Sequence, residues 1–193
     1  MQTAQQLLKQ HKRLHKEGHF QGRGCLNFYR EIRDLVQETH SKTLLDYGCG
    51  KGAQFQMTPA ALHAKLGVYI ESWREGLGVE SITGYDPATL RYQKKPTGTF
   101  DGVYCTSVLE HLNAADIPGV LNDVFQYAEK FVFLAVGTTP AKKQLPSGEN
   151  AHATIQPFDW WLTTVEQVAR EYPDIRWVLA EEKEKDGETG GER

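Results

Sequence analysis

A continuous apolar run that closes on an acid, Thr43 to Tyr47 (TLLDY), leads directly into three glycines at alternate positions, Gly48, Gly50 and Gly52. A short strand of unbroken apolar character is one buried on both faces, as in parallel sheets covered by helices. Glycine accepts positive φ and carries no Cβ, so three of them permit a tight strand-to-helix turn against which a flat or charged ligand can lie. This one stretch therefore predicts an α/β chain with a site at the carboxyl end of its first strand.

The remaining periods agree with that reading. Ala4, Leu7, Leu8, His11 and Leu14 share a helical face that Gly18 ends, and Leu26, Tyr29, Ile32, Leu35 and Val36 mark a second amphipathic helix. After the glycine loop, Thr58 and Pro59 read as a cap and first-turn proline for one helix carrying Leu62, Leu66, Tyr69, Ile70 and Trp73. Strands are predicted at Ser81 to Tyr85, Phe100 to Thr106, Phe131 to Val136 and Ile175 to Ala180. Asn113 is the expected cap of a helix with the stripe Ile117, Val120, Leu121, Val124, Phe125 and Ala128, and Phe158, Leu162, Val165 and Ala169 mark the last helix. Strands alternating with helices mean a Rossmann-like, mostly parallel sheet with helices on both faces. Residues 1–180 are expected to form one domain, with 1–40 as an N-terminal helical lid. Residues 181–193, EEKEKDGETGGER, lack apolar side chains and are expected to be a disordered acidic tail.

Composition narrows the function. The net charge is −3, which gives no global case for binding nucleic acid; the local exception is Lys9, His11, Lys12, Arg13, His15 and Lys16 on the first helix, where a solvated face is the plainer reading. No apolar run approaches the roughly 20 residues of a membrane span. Cys25, Cys49 and Cys105 are odd in number and lack metal-type spacing, so a reducing cytoplasm is the expected setting. The dinucleotide fingerprint needs its third glycine three residues after the second. Here Gly52 follows Gly50 by two, which disfavours a nicotinamide oxidoreductase.

Three motifs in order carry a resemblance. DYGCGKG (Asp46 to Gly52), GYDPA (Gly84 to Ala88) and FDGVYCTSVLEHL (Phe100 to Leu112) together resemble the class I S-adenosylmethionine-dependent methyltransferases over roughly residues 40 to 136. The resemblance implies S-adenosyl-L-methionine as cofactor, with Asp46, Gly48, Gly50 and Gly52 around its methionine and ribose portion and Asp86 accepting from the ribose hydroxyls. Cys105, Thr106 and Ser107 are expected near the cofactor. One departure stands out: the gap from Asp46 to Asp86 is about twice the usual one, and Asp86 to Asp101 is too short for a helix and a further strand. The third-strand region is therefore shortened, and no residue is assigned as the usual adenine-binding acid.

Methyl transfer from a sulfonium needs alignment of the acceptor and, for some acceptors, removal of its proton. Glu110, His111 and His152 are the candidate bases, and His19, Phe20, Arg23, Trp160 and Trp161 are candidates to border the acceptor. Some metal-dependent RNA-end methyltransferases resemble this chain at the Glu-His pair and add a second histidine. Ser107 stands where that pattern has another acid, so no metal is assigned. DNA base-amino methyltransferases carry an Asn/Asp-Pro-Pro-aromatic stretch where this chain has SVLEH, which disfavours that class. The expected partner is a small-molecule or sugar acceptor methylated on oxygen or nitrogen. The alternatives are a non-catalytic cofactor-binding relative and an RNA-end methyltransferase.

Overall fold

The computed structural model describes residues 2–182. Five strands form one sheet in the order β2-β1-β3-β4-β5, every neighbouring pair parallel. They are β1 (Thr43–Tyr47), β2 (Ser81–Tyr85), β3 (Phe100–Thr106), β4 (Ala128–Gly137) and β5 (Arg176–Glu182). No strand or helix lies between β2 and β3, so β2 is a sheet edge, as the shortened third-strand region implied.

Alternate side chains of each central strand enter opposite cores, the period-two rule of a strand covered on both sides. Leu45, Val103, Val132 and Leu134 meet α5 (Ile117–Gln126) and α6 (Phe158–Ala169) through Leu121, Phe125, Trp161 and Val165. Leu44, Tyr104, Phe131 and Phe133 point the other way, to Ile32 and Leu35 of α2 (Tyr29–Glu38) and Trp73 and Leu77 of α4 (Trp73–Leu77). The indole of Trp73 donates to the Tyr104 hydroxyl at 3.1 Å, so that polar pair is satisfied inside the apolar layer.

Several boundaries differ from expectation. The helix expected through Leu62 and Trp73 is two: α3 (Pro59–Leu66) stops at Gly67, which is left-handed at φ 73°, and Ser72 caps α4 by accepting from the Glu75 amide. Asp116, not Asn113, holds the cap position of α5, and Ala128 begins β4 rather than extending the helix. A short 3₁₀ turn, Gly24–Phe28, precedes α2 and takes Leu26 out of the α-helix expected there. Glu181 and Glu182 continue β5, because they pair with Val136 and Gly137. The rest of the expected acidic tail, 183–193, lies outside the described residues.

Helix α1 (Ala4–Lys16) belongs to neither layer. Its first turn is fixed by a capping box between Thr3 and Gln6. Leu7 and Leu14 pack on Leu145 and Ala151 of the loop after β4, a separate small cluster. Within the expected 1–40 lid, only α1 and the segment after it lie apart from the sheet's layers; α2 is core. Among the described residues, no helix is long and apolar enough to cross a membrane.

Candidate functional site

The carboxyl ends of β1, β2 and β3 open into a cavity of about 580 Å³ that α1 covers from the opposite side. Leu7, Leu8, Phe20, Val108, Leu112 and Val120 give it largely apolar walls. Asp86, at the end of β2, is buried in its floor, which raises its pKa through desolvation. Its Oδ2 accepts from the Gly50 amide at 3.0 Å and its Oδ1 from the Ala88 amide at 2.8 Å. A carboxylate has about four acceptor positions, so both oxygens retain capacity for a ligand's hydroxyls.

What approaches the three glycines is first of all this chain itself. A Cβ on Gly48 would collide with Val108, one on Gly50 with the Phe20 carbonyl, and one on Gly52 with the Tyr92 ring. The segment Phe20–Gly22 lies across the loop as a strap: the Phe20 carbonyl accepts from Lys51 N at 3.1 Å and the Gln21 carbonyl from Ala53 N at 2.9 Å. The Gly48 and Cys49 amides go to the Tyr85 carbonyl, Gly50 to Asp86 and Gly52 to the Cys49 carbonyl. Every amide from Gly48 to Ala53 therefore has a partner within the chain.

Asp46 plays its part from beneath. It is buried, which pushes its carboxyl up to about 7 against the opposing hydrogen bonds from Gln54 and Tyr104. It does not line the cavity, and neither does Gly52; of the cofactor residues expected from sequence, Gly48, Gly50, Asp86, Thr106 and Ser107 do. Ser107 sits at φ 56° and its hydroxyl donates to Glu182 at 2.5 Å. Strain of that kind in a non-glycine residue is characteristic of functional sites.

The three candidate bases converge. One ligand atom from each of Glu110, His111 and His152 lies within 4.8 Å of the others. His111 Nδ1 lies 2.8 Å from the Ala151 carbonyl and His152 Nδ1 2.6 Å from the Thr139 carbonyl. A carbonyl only accepts, so both Nδ1 atoms carry a proton, which leaves Nε2 as the atom each ring can offer to a ligand. Glu110 Oε1 accepts from the Gly137 amide at 3.2 Å, while the buried Oε2 has no partner among the described residues. Burial raises Glu110 to about 8, with Glu182 adding to the effect. Burial and the neighbouring His11 lower His111 to about 3. His111 lines the cavity, and Glu110 and His152 stand behind it. Such a group can take a proton from an acceptor or, with Glu110 ionised, hold a divalent cation.

Of the residues expected to border the acceptor, Phe20 and Arg23 line the cavity; His19 does not, and its Nδ1 accepts from Lys143 at 2.9 Å. Trp161 is fully buried in the core beside α5, with Trp160 packed against the same cluster, so neither reaches the cavity. Neighbouring positions on a helix point in different directions, and of the two it is Trp161 that is fully enclosed while Trp160 is partly buried. Conversely, His11 and His15 turn inward from α1. His15 Nδ1 is 3.0 Å from the Thr89 hydroxyl and its Nε2 4.0 Å from Asp86 Oδ1. Burial lowers both histidines to about 4, with His15 contributing at His11 and Lys51 at His15. The membership of His11 in the apolar stripe Ala4, Leu7, Leu8, His11, Leu14 was the signal for an inward face; His15 stood outside that stripe.

Residues 19–179 match the family model of the methyltransferase domain. The chain belongs to that family. The match covers the strap, the glycine loop and all five strands up to Leu179, and the fold is that of a class I S-adenosylmethionine-dependent methyltransferase. No curated protein sequence matches this methyltransferase domain closely enough to count as a relative.

Proposed function

We propose that this methyltransferase domain uses S-adenosylmethionine to methylate an oxygen or nitrogen of a small molecule or sugar. The observation that carries the reading is the Asp86 carboxylate, pinned by the Gly50 and Ala88 amides in the floor of a cavity at the strand ends. An acceptor-only group with spare lone pairs suits a cis-diol. The cavity volume of about 580 Å³ falls in the range of small-molecule sites, and its apolar walls suit a nucleoside more than a polyanion. Bound there, the cofactor supplies a methyl group on a sulfonium.

The chain's own contribution is alignment, shielding from water and proton removal. Helix α1 and Phe20 exclude solvent from above. His111 lines the cavity with its ring orientation held through Nδ1 by the Ala151 carbonyl. Glu110, raised to about 8, gains its proton-accepting carboxylate form as pH rises through neutrality towards 8, with His152 beside it. Calorimetric titration of S-adenosylhomocysteine, with an Asp86→Ala variant alongside, tests the cofactor. Micromolar binding lost in the variant is the expected result, and no binding by the wild type overturns the reading. Binding without turnover across an acceptor screen would leave a cofactor-binding sensor.

The convergence of Glu110, His111 and His152 favours a second reading, in which they hold a divalent cation, the pattern of RNA-end methyltransferases. Two imidazoles that offer Nε2 and one carboxyl fit a transition metal better than magnesium. Turnover that survives chelation supports the proton-accepting role; turnover restored only by added cation supports the metal.

A further inference from the structure

We infer that Arg23 anchors the carboxylate at the amino-acid end of the cofactor, a role that rests on the cofactor reading above. Since all amides from Gly48 to Ala53 bond within the chain, the glycine loop has no backbone donor left for a carboxylate. A donor has to come from a side chain. Among the described residues that line the cavity, Arg23 is the only lysine or arginine. Its guanidinium has no hydrogen bond or ion pair to any described residue.

Its neighbours fix where it stands. A Cβ on Gly22 would collide with the Cys49 carbonyl, and one on Gly24 would lie 2.6 Å from the Ser107 hydroxyl. Gly22 thus sits on the end of β1 and Gly24 on the end of β3, which are paired strands. Arg23 stands between them in the chain, exposed at the rim of the cavity. Asp86 lies across β1 at the end of β2, so the cavity offers a diol acceptor on one side and a carboxylate donor on the other. That polarity matches a nucleoside joined to an amino acid, and a guanidinium fork pairs with a carboxylate bidentately.

The test is calorimetric titration of wild type, Arg23→Ala and Arg23→Lys with S-adenosylhomocysteine and with 5′-methylthioadenosine, the same nucleoside thioether without the amino acid. Arg23→Ala is expected to weaken S-adenosylhomocysteine by about tenfold to a hundredfold, the range for a hydrogen bond to a charged group, and methylthioadenosine by less than about twofold. Arg23→Lys is expected to recover part of the loss. Unchanged affinity for S-adenosylhomocysteine in Arg23→Ala, or equal weakening of both ligands, overturns the role. If the wild type binds neither ligand, the cofactor reading fails and this inference falls with it.

Discussion

The side-chain amide of Gln54 donates to the carboxylate of Asp46 at 2.6 Å, and both residues are buried beneath the glycine loop. The bond ties the end of β1 to the 3₁₀ turn Ala53–Gln56 and holds the loop between them from below. Replacing Gln54 with leucine removes the donor while keeping the volume. Asp46 then loses a partner in a site from which water is excluded, which costs about 1–3 kcal/mol. Urea unfolding is expected to show that loss with an unchanged m-value; a midpoint equal to wild type would mean that the pair carries no stability.

The strap makes a sharper comparison possible. Gly18 and Gly22 both have positive φ, 100° and 88°, so alanine at either adds backbone strain of similar size. Only at Gly22 does the new methyl meet the Cys49 carbonyl; around Gly18 there is open space. Gly22→Ala is therefore expected to lift the strap and weaken S-adenosylhomocysteine by tenfold or more, whereas Gly18→Ala leaves affinity within about twofold. Equal effects of the two would show that the strap does not rest on the loop.

β1, β2 and β3 occupy the residues that TLLDY, SITGY and FDGVYCT suggested; β1 and β3 are covered on both faces, whereas β2 is a half-exposed edge strand. β4 starts three residues early because Ala128 pairs with Phe100 across a register shift that no local pattern records. The first-motif glycines marked the site, but their physical reason, contact with Val108, Phe20 and Tyr92, is tertiary. Glu182 read as part of a polar tail and became a partner of Ser107 only through the pairing of β5. The tryptophans failed as site residues because hydrophobic spacing does not say which layer a helix faces.

Trp161 yields a prediction of its own. Its indole nitrogen is buried without a hydrogen-bond partner among the described residues. Phenylalanine keeps most of the ring and removes that donor, so Trp161→Phe is expected to unfold within about 1 kcal/mol of wild type, because the lost area is offset by the lost desolvation penalty. Trp161→Ala is expected to cost about 3–5 kcal/mol through the cavity it opens. Binding of S-adenosylhomocysteine should be unchanged in Trp161→Phe; a lost cofactor site there would put the side chain back at the cavity.

Stability should peak in a narrow pH range, because two sets of buried groups oppose each other. His11 and His15 are lowered to about 4 and His111 to about 3, against an ordinary value near 6.5. As pH falls from about 6.5, the unfolded chain takes up these protons first, and stability drops with it. Asp46 is raised to about 7 and Glu110 to about 8. The native state holds those two protons where the unfolded chain has released them, so this contribution is complete at low pH and is lost as pH rises through 7 and 8. Between about pH 4 and 6.5 the three histidines outweigh the two carboxyls, and above 6.5 only the carboxyls still act. Thermal melts in the presence of a chelator are therefore expected to show a maximum Tm near pH 6.5. Asp46→Asn should flatten the fall up to pH 7, since an amide has no proton to lose. A Tm that climbs steadily from pH 6 to 8 would show that these carboxyls are ionised in the folded protein.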